Sequence, residues 1–270
     1  MPGPEPPPTA PAAFQPMRPG AILGTASRLY RRHWRTLLPV VALAAPLAAS
    51  FPSTRAVPGP GGQYQVIVHH RAVATGASWA DTAIVTLAAV VALVVVAVVA
   101  GAVTRAAVAA VAGQDLGIRR SYRFGLGRVW PLFLVLVSTW LLTMLGIVLL
   151  VVPGVIVGVL LVVSVPALVV EGGRARHALS RSVDLVGGHW WHTAFTVLLA
   201  GLLTEVVNAV ITAPFGAGAW FVQAVAAVVA TTVTLPYGAL VGVLLYLDLR
   251  ARKERLDLDT LNTDLQTSAA

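Results

Sequence analysis

Apolar residues in this chain come in long blocks, not in the strict alternation of a membrane barrel strand. Charged residues bound the blocks. None lies between Arg128 and Glu171, a stretch of 42 residues, and another 42 uncharged residues separate Glu205 from Asp248. Shorter uncharged windows run from Arg35 to Arg55 (19 residues) and from Asp81 to Arg105 (23 residues). A helix needs about 20 apolar residues to cross a bilayer, so each long gap can hold two crossings and a tight turn. The pattern predicts an all-α, polytopic integral membrane protein with six transmembrane helices, at 36–51, 83–103, 129–151, 155–170, 191–213 and 220–247. They pair as three hairpins.

A different periodicity precedes each hairpin. Ile22, Leu23, Ala26, Leu29, Tyr30 and Trp34 recur at helical spacing, with Arg28, Arg31, Arg32 and Arg35 on the other side. Ile118, Tyr122, Leu126 and Val129 share a face beside Arg119, Arg120 and Arg123. In the third case Ala178, Leu179, Ser182, Leu185 and Val186 oppose Arg174, Arg181 and Asp184. Each reads as a basic amphipathic helix suited to the membrane interface. Trp34, Trp130 and Trp190, with Trp191, stand at the boundaries, where tryptophan anchors helices. Outside the membrane domain (20–258), residues 1–19 are rich in proline and cannot build a core, and 259–270 form a polar tail. The 52–81 loop is rich in Gly, Pro and polar residues, with a brief strand around Tyr64–Val68.

Composition agrees with this partition. Apolar residues are 57% of the chain and charged residues 11%, against roughly 25% charged in a soluble domain. Too little charge remains to clothe a soluble surface. Absence of cysteine excludes disulfides and thiol chemistry. The net charge of +8 sits beside apolar spans, which points to membrane orientation and away from nucleic acid. Seventeen of the nineteen Lys and Arg fall on one side of the six-span topology, and two in the 52–81 loop. The positive-inside rule therefore places both termini in the cytoplasm. Arginine is used almost exclusively over lysine, alongside abundant Ala and Val, which fits a GC-rich bacterial genome and an inner-membrane location. Tyr30-Arg31-Arg32-His33-Trp34 before an apolar run has the outline of a paired-arginine signal peptide. Arg35 stands where such a signal carries an apolar residue, so the first span is read as uncleaved.

Few residues in the spans carry chemistry. Glu205 is the one acid inside a predicted span, nine residues before Pro214 and so about 13 Å from the turn. Glu205, Asn208 and Thr212 form one polar stripe, with Gln223 at similar depth across the hairpin. A carboxyl at that depth is a proton- or substrate-handling candidate, or else ties helices together by hydrogen bonds. The latter is the preferred reading. His189 and His192 are three apart on a helix with His177 upstream, but no third ligand or carboxylate completes a metal site. No metal or cofactor is expected. No nucleophile elbow or phosphate-cradling glycine loop is present.

Several segments resemble a known family. Arg18-Pro19-Gly20 through Arg31-Arg32, Pro153-Gly154, Pro166 and Glu171 are similar to the membrane domain family named after glycerophosphoryl diester phosphodiesterase. So are Ala178-Leu179-Ser180-Arg181-Ser182 through Gly188 and Trp190-Trp191, and the tail from Tyr246 through Asp248-Leu249-Arg250 to Asp257-Leu258. The match runs from about Arg18 to Leu258, and its most specific parts are 171–191 and the tail. Thr25 stands where an acid is expected. In that family the diesterase activity belongs to a separate barrel of about 250 residues, for which no inter-span segment here has room. The resemblance therefore implies a membrane module without catalytic chemistry of its own.

These features lead to one expectation: a non-enzymatic membrane scaffold or accessory protein in lipid handling. Arg28, Arg31, Arg32, Arg120, Arg123 and Arg181 would meet anionic lipid headgroups. A small transporter or lipid-translocating protein using Glu205 is the alternative.

Overall fold

The computed structural model describes residues 16–42, 55–58, 64–68, 71–73, 79–113, 117–216 and 220–254. Helix α1 (Pro19–Ala42) breaks at His33, whose φ of −112° and ψ of 19° leave the helical region. The break separates the basic amphipathic half from an apolar half that carries Pro39. That second half begins the expected first span, and the remainder, 43–51, lies outside the described residues. A small antiparallel sheet follows, in the order β1 (Arg55–Pro58), β2 (Tyr64–Val68), β3 (Arg71–Val73), with Ala56 opposite Val66 and Ile67 opposite Ala72.

Helix α2 (Trp79–Val111) outruns the expected 83–103 span and takes Arg105 into the helix instead of the following loop. The cation is accommodated because its guanidinium lies 5.0 Å from the Phe124 ring centroid. Phe124 belongs to α3 (Ile118–Gly127), which packs along α2. Helices α4 (Val129–Leu149) and α5 (Val151–Leu160) form a hairpin that turns at extended Leu150, not at Pro153-Gly154. Pro153 instead occupies the first turn of α5, where its missing N–H has no helical partner to lose.

The expected fourth span, 155–170, is interrupted. Helix α5 stops at Leu160, and α6 (Ser164–Glu171) starts after a non-helical link. Pro166 explains the break, since its ring crowds the preceding turn and removes a helical donor. Hydroxyls satisfy the carbonyls at the break: Ser164 Oγ donates to the Leu161 carbonyl at 2.6 Å and Ser182 Oγ to that of Leu160 at 2.7 Å. Helix α6 ends at Gly172, whose φ of 71° is a left-handed C-cap that favours glycine. Then come α7 (Ala175–Val186), α8 (Trp190–Thr212), a single 3₁₀ turn (Ala213–Phe215) and α9 (Trp220–Glu254).

Among the described residues, five helical stretches are long and apolar enough to cross a membrane: Leu93–Val111, Val129–Leu149, Val151–Glu171, Trp190–Phe215 and Phe221–Glu254. The core centres on the second half of α9, where Leu240, Leu244, Tyr246, Leu247 and Leu249 are fully buried. Ile22 and Ala26 of α1 pack into it, as do Leu168, Val169 and Val170 of α6. A short helix apolar on all sides, as α6 is, belongs in such an interior. By contrast α4, the start of α5 and α8 present broad apolar faces outward.

Candidate functional site: a polar latch at the end of α9

The charged residues that the sequence distributes among three segments converge where α9 leaves the core. Asp248 is fully buried and has three polar partners among the described residues. Met17 N–H donates to Oδ1 at 2.5 Å, and Arg252 Nε to Oδ2 at 2.8 Å. His192 Nε2 contacts the same Oδ2 at 3.0 Å. Arg252 also donates to the Met17 carbonyl at 2.7 Å, so one helical turn of α9 grips both backbone groups of Met17. Residues at 17, 192 and 248 are thereby locked together.

A second carboxylate organises the adjoining turn. Glu171 Oε1 accepts from Arg181 Nε and from the Tyr246 hydroxyl, both at 2.7 Å, while His177 Nε2 stands 3.5 Å from Oε2. Arg181 also pairs with Glu254, which takes Arg250 Nε at 2.9 Å. Lys253 donates to the Asp184 carbonyl, and Arg128 donates to that of Gly172. Burial draws the Arg181 guanidinium down, but its hydrogen bonds to Glu171 and Glu254 and their charges outweigh this and raise it. Three carboxylates (Glu171, Asp248, Glu254) thus face three arginines (Arg181, Arg250, Arg252). Such a balanced network can sit at the edge of an apolar core because each buried charge has an opposite one in contact.

Arg181 therefore departs from its expected place among the headgroup ligands: it turns inward because two carboxylates claim it. Arg28, Arg31, Arg32, Arg120 and Arg123 are exposed, as the amphipathic pattern requires. The apolar face of α1, however, packs on α9 and α2, because those helices offer it a protein surface. Helix α3 behaves differently. Its buried side is Ser121 and Gly125, while Ile118 and Leu126 stay exposed beside the arginines. Trp34, Trp130 and Trp191 are exposed too, at 46%, 67% and 82%. Trp190 instead turns toward the core, edge-on to Trp191.

The expected polar stripe is split. Asn208 Oδ1 accepts from Thr234 at 3.4 Å rather than facing Gln223, which donates to the Gly216 carbonyl at 3.0 Å. Thr212 donates to the Asn208 carbonyl of its own helix. Glu205 is exposed on the outer side of α8, because the edge that packs on α9 is the one bearing Asn208. The histidines separate as well, His177 to Glu171 and His192 to Asp248. Among the described residues, no group of three or more His, Cys, Asp or Glu could hold a metal ion.

His189 Nδ1 is buried without a hydrogen-bond partner among the described residues. Burial, then the positive charges of Arg252 and Lys253, push its imidazole below the ordinary 6.5, with Asp248 opposing. The folded state therefore keeps the ring neutral to a lower pH than the unfolded chain, which takes up a proton as pH falls through about 6.5. Stability attached to this group is complete above that pH and declines below it. His189→Gln should flatten that decline, which thermal unfolding in detergent between about pH 5 and 8 will measure. An unchanged slope would show that other groups govern it.

Together the helices and their exposed apolar faces define an α-helical membrane protein. Comparison with known protein families, characterised proteins and solved structures finds no match for this chain.

Proposed function

We propose that the protein is a non-enzymatic scaffold or accessory module of the bacterial inner membrane that docks on anionic lipid. In this reading 36–51 completes a sixth span, the spans pair as three hairpins, and both termini are cytoplasmic. The observation that carries it is the open face of α3. Ile118 and Leu126, with Trp130 just beyond, are exposed apolar groups immediately beside exposed Arg119, Arg120 and Arg123. An interfacial helix needs this combination, with apolar side chains in the acyl region and guanidinium groups among phosphates. The latch supports the same reading, since each of its carboxylates has a guanidinium in contact, an arrangement suited to holding helices together. It also joins the two segments, 171–191 and the tail, on which the resemblance to the diesterase membrane domain family rests most. Glu205 faces away from the bundle, which favours docking over a transport path through the helices.

Replacing Arg28, Arg31, Arg120 and Arg123 with Gln should reduce the anionic lipid retained by the purified protein, along with the salt sensitivity of that retention. Each arginine is worth about 1 kcal/mol at an anionic surface. Native mass spectrometry with bound lipid counted across salt concentrations makes the measurement. Unchanged lipid retention would leave these arginines a role in membrane insertion alone.

A further inference from the structure

We infer that the protein is a dimer whose copies meet along α8, with Glu205 at the centre of the interface facing Glu205 of the second copy. This goes beyond lipid docking and does not depend on it. Among the described residues, helix α8 is the most peripheral of the membrane-capable helices: 11% of its apolar stretch is buried, against 61% for that of α2. Its outer side shows Phe195, Leu198, Leu202, Val206 and Val210, each more than half exposed. Lipid alone would cover such a surface without cost. Glu205 changes the requirement.

At 100° per residue Glu205 falls within roughly 60° of Leu198, Leu202 and Ala209, so the carboxyl shares their outward face. It is exposed, and among the described residues it has no hydrogen-bond or ion-pair partner. At about 13 Å from Pro214 it lies near the middle of a hydrocarbon layer roughly 30 Å thick, where an ionisable group facing lipid is costly and needs a polar partner. A second copy supplies one. Copies of one chain insert with the same topology, so their Glu205 side chains occupy the same depth. Two identical carboxyl groups can hydrogen-bond to each other across a two-fold axis. Close approach is open to them: Gly201 and Ala209, one turn to either side, are small and exposed, and a Cβ built on Gly201 would meet no atom of another element within 4 Å.

The chain has no cysteine, so single cysteines report contacts without background. In the full-length protein in membranes, Leu202→Cys should form an oxidatively cross-linked dimer, while Val225→Cys on the exposed side of α9 should not. Adding Glu205→Leu to Leu202→Cys should lower the cross-linked yield by about tenfold. Glu205→Gln, whose amide also donates and accepts, should preserve it. Because the Glu205→Leu side chain would face lipid, that variant is expected to fold, and its monodisperse elution as a monomer verifies this. Equal cross-linking at Leu202 and Val225 would overturn the proposal. So would a yield indifferent to Glu205→Leu.

Discussion

Asp248→Ala should destabilise the protein by about 3–5 kcal/mol, the cost of removing one partner from a buried ion pair. The substitution takes away the acceptor for three groups at once. Arg252, with 23% of its side chain exposed, would lose its carboxylate in a place water reaches poorly. The Met17 amide would lose its acceptor, and His192 its contact. Asp248→Asn keeps the shape and one acceptor oxygen but removes the charge. Its cost should be smaller, about 1.5–3 kcal/mol, the range for a hydrogen bond to a charged group. Thermal unfolding of both variants in one detergent tests the order. An Ala variant as stable as the parent would show that the latch is ornamental to the fold. Limited proteolysis adds a local readout, because Asp248→Ala removes the acceptor of the Met17 amide and should expose residues 16–18 more than Asp248→Asn does.

Much of the helical pattern is legible in the apolar blocks. The 129–151 and 191–213 spans correspond to Val129–Leu149 and Trp190–Thr212: Arg128 caps the start of the first, and the second begins at His189 and closes just before Pro214. Length alone misleads at α2, where the sequence treats Arg105 as a terminator but an aromatic ring on α3 shelters it. Interruption of the fourth span is foreshadowed by Pro166, although the same residue reads equally as a tolerated kink. A helical wheel shows which residues share a face without showing which face points inward. Glu205 and Asn208 therefore fall on one stripe by spacing, yet Asn208 meets Thr234 while Glu205 faces out.

The latch is nearly invisible in the sequence for another reason. Met17, Glu171, His192 and Asp248 lie far apart along the chain, and nothing in their spacing ties them together. Counting charge for topology even works against finding it. Arg181, Arg250 and Arg252 count as cytoplasmic markers, yet each is paired with a carboxylate. The available signal is the acids themselves. Glu171 and Asp248 sit at the ends of long uncharged stretches, and a carboxylate placed there amid arginines calls for an ion pair at the bundle's edge.

Gly154 offers the sharpest test of packing in the apolar layer. The sequence assigns it to a turn, but it lies inside the first turns of α5, and its backbone presses on α4. A Cβ on Gly154 would stand 2.5 Å from Ile147 N and 2.7 Å from Ile147 Cα. One on Gly146 would meet Gly154 Cα at 2.7 Å. These neighbours are backbone atoms and cannot rotate away, so any side chain must push the two helices apart. Gly158, one turn further along α5, is different, since its added Cβ would meet only the Thr143 side chain, its methyl at 3.4 Å. In a helix, Gly→Ala normally stabilises by roughly 0.5–1 kcal/mol through reduced backbone freedom. Gly158→Ala should show that gain in part. Gly154→Ala should lose stability instead, and Gly154→Leu should lose about 1–3 kcal/mol or more as overpacking separates α4 from α5. The opposite signs of two identical substitutions four residues apart are the diagnostic, read by thermal unfolding in the same detergent. If both alanines act alike, the close approach of α4 and α5 is not what glycine at 154 provides.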